Sequence, residues 1–378
     1  MKGYQFEDTQ GTFHLKKAEN ISYLYFPIAG EAGLKSSLTP NLGGDAKIDQ
    51  NTFLLEPVSA ENLVNNRNSR NFWCNVKGIG SWSLTGNAAE ALSKKFTEMQ
   101  DDSEVTAGFM WQKTTRESKK YQLRGEILSF IPVEKNVEVM LVTITNTGRM
   151  AQTVTPTAAI PLYGRSADNI RDHRHVTSLL HRIETTDIGV LVTPTLSFDE
   201  RGHQVNHMTY YCVGWSGNGE KPVDFYPTAE DFVGEGGNFE RPYAIVKNAE
   251  GVKAGTRIEG LEAVGGLHFS EVTLEPEEEC SYLIFTGITE DIQEIRNLSK
   301  TYTTREMVLE ELEKTKAYWQ EKVNVAYHTG DSDFNQFMHW VSFQPILRRI
   351  YGCSFLPHHD YGKGGRGWRG LWQDCLGV

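Results

Sequence analysis

From its start to about residue 290, the chain alternates apolar and polar residues with the two-residue period of β-strands. The clearest case is Val137–Asn146, which ends in the turn-forming step Asn146-Thr-Gly. Its alternation places one face in a core and the other toward solvent or a second sheet. The other segments of this kind, several rich in Val, Ile, Thr, Tyr and Phe, are Ile21–Phe26, Tyr121–Ile131, Ile188–Thr195, Met208–Trp215 and Tyr282–Ile288.

Turn signals separate these segments, and helical periodicity is nearly absent among them. The steps Asn41-Leu-Gly-Gly and Gly217-Asn-Gly are typical of tight turns. Before residue 290, the pattern favours a helix only over Ala88–Gln100. Many strands without intervening helices predict antiparallel sheets, and therefore a β-sandwich or a barrel.

The pattern changes to helical spacing near residue 290. Thr303 and Glu306 have the spacing of a capping box, which predicts the start of a helix. A second helix is predicted from Asp331 or Asp333, with Pro345 at a bend or at its end. The positions at helical spacing are Val308, Leu312, Thr315, Trp319 and Val323 in the first helix, and Phe334, Phe337, Met338 and Val341 in the second.

These patterns predict a mainly β protein with added helices, organised in three parts. Residues 1–292 form a large antiparallel β-sandwich, residues 293–326 a helical linker, and residues 327–378 the start of a helical domain. The last part has room for roughly two or three helices of average length. We therefore expect that domain to be incomplete.

Composition and charge exclude several classes of protein. The 49 acidic and 38 basic residues give a formal net charge of −11, and no dense run of Lys or Arg appears. A nucleic-acid binder needs such a basic footprint. The opening residues lack the apolar segment of a signal peptide, and no apolar stretch approaches the roughly 18 residues of a membrane span. The sequence predicts a cytoplasmic protein that binds neither nucleic acid nor membrane.

The cysteines favour reduced thiols over a disulfide framework. Their number is odd, they are far apart, and no CxxC spacing occurs, so a zinc site has no support either. The five positions are Cys74, Cys212, Cys280, Cys353 and Cys375.

The densest group of chemically capable residues lies at the end of the chain, between His358 and Asp374. Arg366 and Arg369 offer planar forks for hydroxyls or an anion. Trp368 and Trp372 suit stacking on a sugar ring, and Asp374 suits accepting hydrogen bonds from sugar hydroxyls. The alternative is a flexible glycine-rich loop before an amphipathic helix whose core includes Trp372. The residues alone leave both interpretations open, although no GK[ST] step supports a phosphate-binding loop.

Two other segments invite a functional interpretation that the residues do not favour. His173 and His175 lie in a polar stretch without acidic or cysteine partners at metal-ligand spacing, so a solvated loop is favoured over a metal site. The same holds for the pairs His203/His207 and His358/His359. The polar and aromatic stretch Arg67–Trp73 either lines a groove or forms a turn followed by a strand.

The terminal stretch Tyr361-Gly-Lys-Gly-Gly-Arg-Gly-Trp-Arg-Gly-Leu-Trp-Gln-Asp374 closely resembles the GRG-[WF]-RD-xx-QD segment of glycoside hydrolase family 94. This family, formerly glycosyltransferase family 36, comprises inverting phosphorylases of cellobiose, laminaribiose and chitobiose. Its amino-terminal domain is also similar to Tyr25-Phe-Pro-Ile-Ala-Gly-Glu-Ala-Gly, Ser36-Ser-Leu-Thr-Pro and Asn71-Phe-Trp. The order of parts agrees, and the resemblance implies that residues 327–378 begin an (α/α)6 barrel.

The resemblance implies phosphorolysis of a β-linked disaccharide or oligosaccharide, giving an α-sugar 1-phosphate with inversion. One carboxylic acid protonates the departing oxygen, while inorganic phosphate, the co-substrate, attacks the anomeric carbon in place of water. No cofactor or metal is expected. The family's acid is an Asp far downstream on the barrel, so we expect no catalytic residue before Val378 and no turnover by this chain alone.

The resemblance places Arg366 and Arg369 in the sugar subsite. With Trp368 and Asp374, which were singled out by their chemistry, they are the expected substrate-binding residues. Arg366 corresponds to the arginine of the family's GRG step and would bind the non-reducing-end sugar. The next step differs, because the family's sugar-binding Asp is replaced here by Gly370. That loses charge-assisted hydrogen bonds worth roughly 1.5–3 kcal/mol each, for which Asp374 is a distant substitute.

Two expectations follow for the whole molecule. The first is the amino-terminal part of such a phosphorylase, pairing with a second copy as the family's enzymes commonly do. Its sugar and linkage are not fixed by the sequence. The second is a stand-alone carbohydrate-binding or interaction module built on the sandwich. Against the second stand Phe334, Phe337, Met338 and Trp340, which would lack apolar partners without a barrel.

Overall fold

The structure is a computed structural model that describes residues 3–21, 24–59, 66–170, 174–199 and 202–352. These residues form large antiparallel sheets followed by helices, which confirms the predicted β-sandwich with added helices. The strands are, in chain order, β1 (Tyr4–Phe6), β2 (Phe13–Lys16), β3 (Phe26–Ala29), β4 (Lys35–Leu38), β5 (Ala46–Asp49), β6 (Thr52–Leu55), β7 (Asn71–Val76), β8 (Gly80–Ser83), β9 (Asp102–Gly108), β10 (Trp111–Ser118), β11 (Leu123–Phe130), β12 (Val137–Asn146), β13 (Gln152–Leu162), β14 (Arg182–Thr185), β15 (Gly189–Val192), β16 (Leu196–Asp199), β17 (Gly202–Val205), β18 (Thr209–Ser216), β19 (Asp224–Thr228), β20 (Arg257–Glu259), β21 (Ala263–His268), β22 (Val272–Leu274) and β23 (Glu279–Thr289).

Two large sheets build the sandwich. The larger has eleven strands in the order β1-β2-β9-β10-β11-β12-β23-β18-β15-β14-β20. The smaller has six, in the order β19-β21-β13-β7-β8 with β22 also paired to β13. A four-stranded sheet, β3-β4-β5-β6, and the hairpin β16-β17 complete the strands of the described residues.

The helices are short within the sandwich and longer after it. They are α1 (Ala89–Ser93), α2 (Arg174–Thr177), α3 (Ala229–Val233), α4 (Tyr243–Lys247), α5 (Ile292–Thr301), α6 (Arg305–Glu321) and α7 (Ser332–Tyr351). None of those described is long and apolar enough to cross a membrane.

The predicted alternation of Val137–Asn146 is confirmed, but both faces of the strand are buried. Met140 and Val142 belong to the core between the two large sheets. Val139 and Leu141 point the opposite way and pack in a second core that includes residues of α5 and α6. The expectation that this face meets solvent or another sheet is wrong, because α5 and α6 cover it.

The smaller sheet is covered on its outer face as well. Trp73 and Tyr226 lie there in a third core with Phe232 of α3 and Ile245 of α4. The sandwich is therefore a four-layer arrangement of helices, sheet, sheet and helices. The helix predicted over Ala88–Gln100 is wrong in length, since α1 covers only its first part.

The first predicted long helix is confirmed, with one correction at its start. Its amino-terminal cap is Thr304 rather than Thr303. The predicted apolar positions of α6 are buried, namely Val308, Leu312, Thr315 and Trp319. Val323 lies beyond the end of the helix.

The second predicted helix is confirmed from Asp331, whose side chain accepts a hydrogen bond from the Phe334 N–H at 3.1 Å. Pro345 lies inside α7 and does not end it, because the helix continues to Tyr351. Phe334, Phe337 and Val341 are exposed, and Phe334 has an edge-on contact with the Tyr327 ring, 6.0 Å between ring centres.

Trp340 does not lack apolar partners, because it packs on the sandwich. Its ring centre lies 4.5 Å from that of Phe109 and 5.7 Å from that of Phe26. Its indole N–H donates to the Gly11 carbonyl at 2.8 Å. One side of α7 is thus firmly docked while the opposite side is open.

The remaining strand predictions differ mainly at their ends. The segment Ile21–Phe26 is wrong, because the described strand in this region begins at Phe26 and runs on to Ala29. The other predicted segments correspond to β11, β15, β18 and β23, whose observed ends lie within a few residues of the predicted ones.

Candidate functional site

The predicted sugar-binding residues Arg366, Trp368, Arg369 and Asp374 lie outside the described residues. The described structure reaches Gly352, which ends α7 with a φ of +75°. The structure therefore describes the end of α7, which precedes the predicted motif in the sequence, and the residues around it.

The end of α7 is fixed to the β3–β4 hairpin. The Tyr351 hydroxyl lies 2.7 Å from the carbonyl oxygens of both Ile28 and Ser36. Lys35 Nζ donates to the Ile350 carbonyl at 2.9 Å. Burial raises the pKa of Tyr351 well above its ordinary value, so the hydroxyl keeps its proton and remains a donor.

The same hairpin is clamped to a helix surface by Glu31. Arg349 of α7 donates two hydrogen bonds to the Glu31 carboxylate, at 2.8 and 2.6 Å. The Tyr318 hydroxyl of α6 donates to it at 2.9 Å. The Arg349 hydrogen bonds hold the pKa of Glu31 below its ordinary value. A bidentate pair of this kind fixes orientation as well as distance.

Behind the hairpin lies a buried ion pair between Arg70 and Glu138, each with 1% of its side chain exposed. Arg70 Nη2 is 3.0 Å from Glu138 Oε2, and Arg70 Nη1 donates to the Gly44 carbonyl at 2.8 Å. The Ser36 hydroxyl donates to the same carboxylate. Ser36 begins one of the family-like stretches, and Arg70 directly precedes another, Asn71-Phe-Trp. Both side chains bind the Glu138 carboxylate.

The turn before β5 requires glycine. Gly44 has a φ of +119°, and a Cβ there would lie 1.8 Å from the Ser37 carbonyl oxygen. Only glycine lets the two backbone segments approach this closely. The turn presents its carbonyl to Arg70 and places Asp45 at the edge of the hairpin.

Asp45 and two lysines form a charged group beside the end of α7. Asp45 is 1% exposed, and its Oδ2 lies 3.4 Å from Lys47 Nζ. Its Oδ1 has no hydrogen-bond partner among the described residues. Lys35 and Lys47 are register neighbours on β4 and β5. Burial, followed by repulsion from Lys47, lowers the pKa of Lys35.

A second polar network, formed by Asn87 and Arg116, binds the loop between β4 and β5. Asn87 Nδ2 donates to the Asn41 carbonyl at 2.9 Å and to the Ser69 hydroxyl at 2.8 Å. Arg116 Nη2 donates to Asn41 Oδ1 at 3.3 Å. Burial lowers the pKa of Arg116. The loop is thus fixed by buried side chains on both sides, which is a rigid support rather than an open cleft.

The stretch Arg67–Trp73 is a turn followed by a strand, the second of its two predicted alternatives. Phe72 lies in the core between the sheets, and Trp73 lies in the core under α3 and α4. Arg67 is exposed, and its guanidinium carbon sits 5.9 Å from the centre of the Phe239 ring.

The histidine pairs are not brought together with other metal ligands in the described part of the chain. His203 and His207 are exposed. His173, His358 and His359 lie outside the described residues, and the side chain of His175 is not described. Among the described residues, no group of three or more His, Cys, Asp or Glu side chains is placed to hold a metal ion.

The cysteines that the structure describes are free thiols, namely Cys74, Cys212 and Cys280. Burial raises the pKa of each of them, for Cys280 to about 12. The thiols therefore stay protonated at neutral pH, which does not suit a nucleophile or a metal ligand.

Sequence reasoning did not single out Glu138, Asp45 or Tyr351. One signal was present for Glu138, because a glutamate interrupts the apolar run of Val137–Asn146 and so needs a buried partner. Asp45 and Tyr351 gave no comparable signal, since their roles depend on the contact between α7 and the hairpin.

Residues 57–305, more than half of the chain, match the family described as "Glycosyl hydrolase 94, supersandwich domain". No curated protein sequence matches the chain. Among solved structures, a bacterial glucoamylase complexed with acarbose matches with 10% identity and a TM-score of 0.44, covering 89% of this chain and 40% of the glucoamylase. The chain therefore spans 40% of the length of that enzyme.

Two smaller proteins also match in structure. A putative aldose 1-epimerase from Escherichia coli K12 has 8% identity and a TM-score of 0.34, covering 70% of this chain and 99% of its own. A galactose mutarotase-like protein from Clostridium acetobutylicum has 9% identity and a TM-score of 0.30, covering 76% of this chain and 98% of its own.

Proposed function

This chain belongs to glycoside hydrolase family 94, and from that premise we propose that it is the amino-terminal portion of an inverting disaccharide or oligosaccharide phosphorylase. The family membership makes it part of a carbohydrate-active enzyme. The match of residues 57–305 to the supersandwich domain carries the proposal. The terminal motif Tyr361–Asp374 supports the finer assignment through its similarity to the family's sugar-binding segment.

In the proposed reaction, phosphate attacks the anomeric carbon of a β-linked glucoside from the face opposite the bond that breaks. A carboxylic acid gives its proton to the departing oxygen, and the product is an α-sugar 1-phosphate. The role of this chain is to bind and orient the sugar. Arg366 and Arg369 would donate hydrogen bonds to hydroxyls, Trp368 would stack on the ring, and Asp374 would accept.

The described residues support this role through the position of α7. Tyr351, Lys35 and Arg349 fix the last turn of the helix to the β3–β4 hairpin. The last described turn before the predicted motif is therefore held by side-chain contacts to the sandwich. Binding sites are more precise when they are supported by such fixed elements. We propose the matching division into a sandwich (1–292), a linker (293–326) and the start of an (α/α)6 barrel (327–378).

The exposed side of α7 supports the barrel assignment. Phe334 is 43% exposed and Phe337 53% exposed on a helix whose other side is docked through Trp340. A helix with apolar residues on both sides is typical of one that has neighbours on both sides. We also propose a cytoplasmic location and pairing of two chains.

The test is an assay of sugar 1-phosphate formation from cellobiose, laminaribiose and chitobiose with inorganic phosphate. We expect no turnover by these 378 residues. A polypeptide that continues the reading frame past Val378 should form α-sugar 1-phosphate from one of the three, and Arg366→Ala in it should raise KM. Turnover by this chain alone contradicts the proposal that the catalytic acid lies outside these residues. Release of free sugar without phosphate contradicts phosphorolysis.

The alternative is a stand-alone carbohydrate-binding module. In the sequence, Trp340 counts against this alternative, and the docking of Trp340 removes that objection. That side chain finds Phe109 and Phe26 without any barrel. Saturable binding of an oligosaccharide by this chain, together with a monomeric and soluble state despite the exposed Phe334 and Phe337, would support the alternative.

A further inference from the structure

A small pocket of about 250 Å³ lies between α5 and the outer face of the larger sheet. Its floor consists of buried side chains, namely Val137, Tyr211 and Leu298. Its rim carries exposed side chains, namely Glu134, Glu294 and Asn297. The volume is below the usual range for a drug-sized ligand. The pocket therefore suits one functional group or a very small molecule.

The Tyr211 side chain lines the pocket from β18 and is only 3% exposed. Its hydroxyl has no hydrogen-bond partner among the described residues. Gly287 of β23 makes room for it, since a Cβ there would lie 2.4 Å from the Tyr211 hydroxyl oxygen. Burial, followed by the charge of Glu294, raises the pKa of Tyr211, so the hydroxyl keeps its proton. The hydroxyl of a buried side chain is normally hydrogen-bonded, so this one marks a position where a ligand atom can bind.

The rim has two carboxylates without cationic partners. Among the described residues, the Glu134 carboxylate makes no ion pair or hydrogen bond, and the Glu294 carboxylate accepts only from the Thr289 hydroxyl, at 2.6 Å. The one cation among the lining residues that the structure describes is Lys135. Its ammonium donates to the Tyr302 hydroxyl at 2.8 Å and lies 4.5 Å from the centre of that ring. The pocket therefore has an excess of negative charge that its own side chains do not neutralise.

These groups select a ligand that is positively charged and donates hydrogen bonds. Both carboxylates, the Tyr211 hydroxyl oxygen and Asn297 Oδ1 are acceptors. A guanidinium has five N–H donors and no acceptor, whereas an ammonium has three donors. A guanidinium is also planar and weakly hydrated, so it fits against the apolar floor of Val137 and Leu298. The described residues place no group of three or more His, Cys, Asp or Glu side chains for a metal ion, which favours an organic cation.

We propose that this pocket binds a guanidinium group, supplied either by an arginine side chain of a protein or by a small guanidino compound. The carboxylates of Glu134 and Glu294 would accept from its N–H groups and neutralise its charge. The Tyr211 hydroxyl oxygen would accept a further hydrogen bond at the floor. The site is separate from the terminal motif, and the inference does not rest on phosphorolysis.

The test is a ligand-observed NMR titration of the full chain. The probes are propylguanidinium, its neutral isostere propylurea, and butylammonium. We expect saturable binding of propylguanidinium, with propylurea about tenfold weaker or more because it lacks the charge, and butylammonium several-fold weaker. Equal binding of propylurea, or equal or tighter binding of butylammonium, overturns the proposal because the guanidinium is then not what the pocket recognises.

Variants of the pocket locate the binding. Glu134→Gln/Glu294→Gln removes both charges at exposed positions and should weaken propylguanidinium binding about tenfold or more. Tyr211→Phe removes only the hydroxyl and should weaken it several-fold. The matched control is Glu290→Gln/Glu310→Gln, which makes the same change in net charge at exposed positions outside the pocket and should leave binding unchanged. The proposal is overturned if propylguanidinium does not saturate the parent, or if the pocket variants bind no worse than the control.

A further probe, acetylarginine methylamide, distinguishes the two sources of the guanidinium. Binding as tight as that of propylguanidinium, or tighter, supports an arginine side chain of a protein, and weaker binding supports a small guanidino compound. Because these titrations contain neither sugar nor phosphate, their outcome and that of the phosphorolysis assay are independent.

Discussion

Arg70 and Glu138 form an ion pair inside the sandwich, where each side chain is 1% exposed. Glu138 lies on the central strand β12, and Arg70 precedes β7 of the opposite sheet. The Ser36 hydroxyl and the Gly44 carbonyl complete their hydrogen bonds. The pair therefore ties both large sheets to the hairpin that carries the end of α7.

Loss of the Glu138 charge should destabilise the whole domain. Glu138→Gln leaves the Arg70 guanidinium buried without its counter-charge, which costs about 3–5 kcal/mol in the free energy of unfolding. Equilibrium unfolding in urea measures this change in the free energy of unfolding. Glu279→Gln removes the partner of Arg305 in a half-exposed pair and is the control, with an expected change of about 1 kcal/mol or less. Equal effects of the two substitutions would contradict the central role of the buried pair.

The pair of Glu31 and Arg349 should make the docking of α7 sensitive to acid. Because Arg349 lowers the pKa of Glu31 in the folded state, the pair contributes stability above the unfolded pKa of about 4.5. That contribution is lost as the pH falls through the folded pKa. The pair is partly exposed, so its contribution is about 0.2–1 kcal/mol.

The measurement is the difference in unfolding free energy between the parent and Glu31→Gln at about pH 7 and about pH 3. We expect the parent to be more stable than Glu31→Gln at the higher pH and the difference to become smaller at the lower pH, because protonation of Glu31 weakens the pair. Glu310→Gln, at an exposed position of α6, should show no such pH dependence. A difference that grows on acidification would show that the sign of this coupling is wrong.

Adjacent residues of β23 test whether α5 and α6 form a true core with the larger sheet. Leu283 faces α5 and α6, Ile284 faces the smaller sheet, and both are 0% exposed. Leu283→Ala and Ile284→Ala should each lower the free energy of unfolding by about 2–5 kcal/mol, because each leaves a cavity in a packed interior. A cost below about 1 kcal/mol for Leu283→Ala alone would mean that the helices are not packed on the sheet.

The two sides of α7 should respond differently to substitution. Trp340→Ala removes the contacts with Phe109 and Phe26 and should lower the melting temperature by several degrees. Phe334→Ser/Phe337→Ser changes only exposed side chains and should leave the melting temperature nearly unchanged while reducing self-association. Calorimetry and light scattering measure the two effects. A large loss of stability in the double variant would show that the stripe is covered within this chain.

Sequence patterns predicted the elements whose burial is one-sided or periodic. The alternation of Val137–Asn146 and the spacing of Val308, Leu312 and Trp319 reflect local geometry, so β12 and α6 were found with nearly correct limits. Ala88–Gln100 has a helical pattern, but α1 covers only Ala89–Ser93. Phe96 has a φ of +68°, a conformation that a right-handed helix cannot contain.

The candidate site was less accessible to such reasoning. Asp45 and Tyr351 are far apart in sequence, and the charge of Asp45 acts on Tyr351 only because α7 docks on the β3–β4 hairpin. No local period encodes a long-range contact of this kind. The predicted motif residues Arg366, Trp368, Arg369 and Asp374 remain a prediction from resemblance, because the described residues end before them.

The pairing of β12 with β23 has a consequence for synthesis of the protein. Val137–Asn146 has one neighbour available early, β11, but its second neighbour, Glu279–Thr289, leaves the ribosome much later. Until then the nascent chain exposes an unpaired strand edge of strongly apolar character, which is prone to aggregate. Slow translation of the intervening residues would prolong that exposure, so we expect chaperone dependence to be set during elongation rather than after release.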